Sequence, residues 1–66
     1  MTTIIEEVQA EVERIKGRIR RAVETFPEAR VEFLFLRSYI REAETAIREQ
    51  DAVKLVRILP VIREML

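Results

Sequence analysis

The chain has no cysteine, no histidine and no tryptophan, and it has a single glycine. Without cysteine no disulfide can brace the fold, and without cysteine or histidine the usual zinc sites lose their ligands. The missing histidine is also the side chain that most often moves protons near neutral pH, and no thiol nucleophile replaces it. Gly17, standing alone, cannot build a glycine-rich phosphate loop. What remains for catalysis is carboxylates, Lys16, Lys54, Tyr39, Ser38 and four threonines. Ser38 has no histidine to activate it, and Tyr39 lies beside an apolar seam, where an amphipathic ring ordinarily marks a core edge. The chain is therefore not expected to be an enzyme, and no cofactor is implied.

Long apolar runs are missing too. A membrane-spanning helix needs about 18 or more uninterrupted apolar residues, and the most apolar tail, Val53 to Leu66, is broken by Lys54, Arg57 and Arg63. A membrane association is not expected. The N-terminus carries Glu6 and Glu7 where a secretory leader would be basic, which suggests a cytoplasmic protein.

Charge of one sign is also lacking. Twelve basic and twelve acidic residues leave a net charge of zero, whereas nucleic-acid binders are more often basic overall. Hydrophobic residues supply 48% and charged ones 36% of the chain, leaving little for neutral loops. That division is the signature of amphipathic helices rather than of disorder.

The 66 residues form a single small domain, spanning 1–66, close to the lower size limit for an independent core. Ile5, Val8, Val12, Ile15, Ile19, Ala22 and Phe26 recur three and four residues apart, which places them on one face of a helix. Thr3 and Glu6 have capping-box spacing at its start, so the first helix is expected over about 4–25. Pro27 interrupts that helix and suits the first turn of another, with Thr25 and Glu28 repeating the capping-box spacing. The second helix is expected over about 27–49, with Phe33, Leu36, Ile40, Ala43 and Ile47 as its seam. Asp51 can cap a third over about 52–66, using Ala52, Leu55, Leu59, Ile62 and Leu66 inward. Val53, Val56, Ile58, Val61 and Met65 would give it a second apolar edge, and Pro60 is expected to kink or split it.

These elements predict an all-α fold, an antiparallel helical hairpin with a third helix packed across it as a helical bundle. Charges support the antiparallel sense. Glu6, Glu7, Glu11 and Glu13 of the first helix would face Arg37, Arg41 and Arg48, and its basic half would face Glu28 and Glu32. Phe33, Leu34, Phe35 and Leu36 are consecutive and so wrap the whole helix circumference, and a helix apolar all round is buried all round. One short chain cannot cover every side of it. A homo-oligomer, a dimer or larger, is expected, with Val31, Leu34 and Phe35 among its contacts.

The functional expectation is a non-catalytic, self-associating helical module that engages a protein partner as scaffold, adaptor or regulatory subunit. The alternative is a nucleic-acid-binding helical-hairpin dimer. Arg14, Arg18 and Arg21 lie at i, i+4 and i+7 and could follow phosphates. Glu24, Glu28 and Glu32 stack at four-residue spacing, but across the Pro27 break, where a solvated acidic face is expected rather than a metal site.

Overall fold

The protein, described over residues 3–65 in a computed structural model, is all-helical. Its elements are α1 (Ile4–Thr25), a 3-10 turn (Pro27–Arg30), α2 (Leu34–Glu49) and α3 (Ala52–Arg63). Helix α1 starts where its cap is placed. Thr3 is extended, with φ −80° and ψ 161°, and its hydroxyl accepts from the Glu6 backbone N–H at 3.1 Å. Glu6 and Glu7 then lie in the first turn, where the helix dipole favours negative charge.

Pro27 does not open α2. The Thr25 hydroxyl donates back to the Arg21 carbonyl at 3.0 Å, so it cannot cap the following segment. From Phe26 onward the chain makes i→i−3 bonds: the N–H groups of Ala29, Glu32, Phe33 and Leu34 donate to the carbonyls of Phe26, Ala29, Arg30 and Val31. The α-helical pattern resumes only when Arg37 donates to Phe33 at 2.9 Å. Two physical reasons combine. Val31 and Phe33 are poor helix formers, and although the turn touches α1 and Phe33 packs at the core edge, no residue of this segment is fully buried, so packing rewards an α-helical path weakly.

Between α2 and α3 the chain turns without glycine or proline. Gln50 takes the left-handed conformation, φ 56° and ψ 39°. Its N–H donates to Ile47 at 3.1 Å and that of Asp51 to Ala46 at 2.9 Å, the paired bonds of a Schellman motif. The Asp51 carboxylate then accepts from Lys54 N–H at 3.2 Å and caps α3. Helix α3 runs unsplit through Pro60, which is exposed.

The core draws on all three helices. Val8, Val12, Ile15 and Ile19 of α1 meet Ile40, Ala43 and Ala46 of α2 and Leu55, Ile58, Leu59 and Ile62 of α3. Every buried side chain among the described residues is apolar. The expected seams hold in their centres and fail at their ends. Phe26 terminates α1 with 60% of its surface exposed, and Ala52 is exposed. Ala46 is buried while Ile47 packs against the core partly buried, and Ile58, on the second apolar edge of α3, is buried as well. Leu66 lies outside the described residues.

Helix α3 packs most extensively on α1 rather than on its neighbour α2. Its end returns to the first half of α1, where Arg63 reaches Glu7 at 3.6 Å. The three-helix part of the molecule therefore surrounds the N-terminal half of α1. Beyond Ile19 only the hairpin continues. No residue from Arg20 to Tyr39 is buried, although Val23, Phe26, Val31, Phe33, Leu34, Phe35 and Leu36 all lie there. This end is called the tip below, and the three-helix end the base.

Candidate interaction surfaces

At the tip the three residues expected to contact another subunit are all displayed. Val31 is 73%, Leu34 61% and Phe35 75% exposed. Phe26 adds a fourth large apolar side chain at the same connection. A second apolar strip runs along the outside of α3, where Val53 and Val56 are exposed, with Pro60 seven residues beyond Val53 on the same face.

The basic stripe of α1 does not act as a unit. Arg14 is half-buried and turned into the fold. Its Nε donates to Glu11 at 2.8 Å, and one guanidinium nitrogen donates to the backbone carbonyls of Ile62 at 3.3 Å and Met65 at 3.2 Å. These carbonyls lie at the end of α3, and that of Ile62 also accepts from the Met65 N–H at 3.3 Å, so Arg14 adds a side-chain cap to a helix remote in sequence. Arg18 and Arg21 are exposed and make no ion pair among the described residues.

A different basic cluster forms between the hairpin helices, and it was not visible along either helix alone. A groove of about 530 Å³ separates α1 from α2, with Lys16 and Arg20 on one wall, Arg37 and Arg41 on the other, and Ile19 and Ile40 in its floor. Glu24 and Glu44 also line it. Lys16 donates to the Glu44 carboxylate at 2.6 Å, and this hydrogen bond, opposed by slight desolvation, holds the ammonium above its ordinary 10.5. Arg20, Arg37 and Arg41 have no ion pair among the described residues.

The cluster corrects the charge complementarity expected from sequence. Arg37 and Arg41 were matched to the acidic half of α1, yet they stand against its basic half. The cause is register. Because residues 27–33 are spent on the 3-10 turn and its exit, α2 begins late, and each of its residues meets α1 about two turns nearer the tip. Arg48 alone arrives as expected, sharing a smaller groove with Gln9 and Glu13.

The cluster also lies on the open face of the hairpin. Glu7 and Arg14, which touch α3, flank the buried stripe of α1 on one side, whereas Lys16 and Arg20 flank it on the other. Only residues of α1 and α2 line either groove. Tyr39 is partly buried against the core, and Ser38 is exposed. Among the described residues no group of three acidic side chains comes together as a metal site would require. No helix among them is long and apolar enough to cross a membrane. Comparisons with protein-family models, curated proteins and solved structures return no match.

Proposed function

We propose that this chain is a non-catalytic helical module that works by self-association, serving as scaffold, adaptor or regulatory subunit for a protein partner. The observation that carries this reading is the tip. Between Arg20 and Tyr39 four large apolar side chains, Phe26, Val31, Leu34 and Phe35, are exposed, and no residue is fully buried. Contiguous apolar surface of this kind marks association sites in proteins that remain dispersed. A second copy would cover Val31, Leu34 and Phe35 and supply at the tip the layers that α3 supplies at the base.

Sedimentation equilibrium at micromolar concentration tests it. The wild type is expected as a dimer or larger, and Leu34→Ser with Phe35→Ser as a folded monomer. A folded wild-type monomer of 7.8 kDa would sink the proposal.

The second reading, nucleic-acid binding, rests on the cations of the groove together with Arg18 and Arg21, since Arg14 is committed to α3. It predicts retention on RNA or DNA that weakens steeply with salt. Loss of that retention on changing Arg18, Arg21 and Arg37 to Gln would favour it over self-association alone.

A further inference from the structure

The zero net charge conceals a division along the molecule. Residues 17–43, which form the tip half beyond the Lys16–Glu44 contact, contain six basic and four acidic residues, a net +2. The other residues contain six basic and eight acidic, a net −2. Four cations of that half or its boundary line the groove, Lys16, Arg20, Arg37 and Arg41, against two carboxylates, Glu24 and Glu44, and the three arginines make no ion pair among the described residues. Like charges gathered in a cleft repel one another, and an incoming negative surface relieves that repulsion.

We propose that two copies pair antiparallel through the open face of the hairpin, each basic tip groove receiving the acidic half of the other's α1. This deepens the self-association reading and rests on it. Four observations converge on the arrangement. Pairing tip to tip would set +2 against +2, whereas antiparallel pairing sets each +2 against −2, and such charge patterns decide orientation. An acidic contact is on the correct face, because Glu13 lines the second groove with Gln9, Glu44 and a single cation, Arg48, on the same open side as Lys16. Glu6, exposed and seven residues before Glu13, extends that surface by two turns. An apolar contact adjoins the basic one, because exposed Leu34 lies three and seven residues before Arg37 and Arg41 on one face of α2.

The pairing is isologous, so every contact occurs twice about a twofold axis. The Lys16–Glu44 pairs, at the boundary between the halves, lie nearest that axis. Helix α3 stays on the outside of both copies, with Val53 and Val56 left for a further partner.

A charge swap tests the arrangement. One variant carries Arg20→Glu and Arg37→Glu, the other Gln9→Arg and Glu13→Arg. Each alone opposes like charges at both contacts and is expected to sediment as a monomer. Their equimolar mixture opposes unlike charges at both and is expected to restore the dimer, weakened by salt as the wild type is. A wild type that dimerises while either variant alone does so equally tightly overturns the antiparallel geometry and leaves self-association standing. So does a mixture that stays monomeric although both variants keep the wild-type thermal melt. A monomeric wild type overturns both.

Phe35→Cys supplies an independent measurement, because the chain has no cysteine of its own. In an antiparallel pair the two tips lie at opposite ends of molecules 37 Å long, far beyond the roughly 7 Å between Cα atoms that a disulfide spans. The variant is expected to remain reduced at dimer concentrations. Rapid closure to a Phe35→Cys disulfide dimer would establish tip-to-tip pairing instead.

Discussion

Arg14 reaches from the middle of α1 to the carbonyl of Met65, 51 residues later, and donates to it at 3.2 Å. A second bond, to Ile62 at 3.3 Å, makes the same guanidinium a clamp on the end of α3. The aligned carbonyls there carry partial negative charge, which a cation relieves. Hydrogen bonds from charged donors contribute more than neutral ones. Arg14→Met keeps the aliphatic stem and removes the clamp. It is expected to cost about 1–3 kcal/mol, read as a lower urea midpoint, whereas Arg18→Met and Arg21→Met should each change stability by less than about 1 kcal/mol.

Leu55 is fully buried between α1 and α2, which makes α3 part of the core rather than an appendage. Leu55→Ala should cost about 2–5 kcal/mol, depending on how far the cavity collapses. A single core this small rarely supplies more than about 3–5 kcal/mol. The variant is expected to be molten or unfolded at room temperature. Deleting residues 52–66 should do the same, and a cooperative melt retained by the truncated chain would show that α3 is dispensable.

Gly17 lies in the middle of α1, and a β-carbon added there meets nothing within 4 Å. No neighbour in the chain approaches the glycine closely. Gly17→Ala should therefore stabilise the protein by about 1 kcal/mol, the helix propensity difference. Thermal denaturation followed at 222 nm would show a higher midpoint, and a lower one would mean that another molecule packs at this position.

Gln50 has the opposite need. It is a residue with a β-carbon held at φ 56°, the conformation that glycine adopts without steric cost. Gln50→Gly relieves that cost but loosens the unfolded chain. The net expectation is a gain of about 0.5–1 kcal/mol, measured by chemical denaturation, and the Schellman bonds to Ala46 and Ile47 should persist.

Lys16 and Glu44 make the molecule sensitive to alkali. The folded protein holds the Lys16 proton more tightly than the unfolded chain does, chiefly through its bond to Glu44. A group whose pKa is raised on folding contributes stability that is complete below its unfolded value. That contribution fades as pH rises above 10.5 and through the folded value. Glu44→Gln should flatten this part of the pH dependence, with the difference between wild-type and variant midpoints shrinking as the solution becomes alkaline. An unchanged difference across that window would mean that the pair contributes nothing.

Much of this architecture was legible along the chain, and the legible part is local. The Thr3 and Asp51 caps, the Val8–Val12–Ile15–Ile19 seam and the all-helical class follow from side chains reaching their own backbone and from 3.6-residue periodicity. The apolar excess around Phe33 to Leu36 was likewise visible, because four consecutive apolar residues on a helix must point in every direction.

Tertiary structure decided everything that depends on register and on which surfaces meet. Pro27 announced a break, but its spacing could not reveal that Val31 to Phe33, poor helix formers on a connection without a fully buried residue, would leave the α-helical path. That late start moves α2 along α1 and gathers Arg20, Arg37 and Arg41 into one groove. Arg14 resembled its neighbours Arg18 and Arg21 in sequence, and only the return of α3 separates their roles. Short-range hydrogen bonding and periodicity act over one or two turns and are written in residue order. The relative placement of helices is the sum of many weak contacts between distant residues, and a shift of two turns changes every charge that faces another.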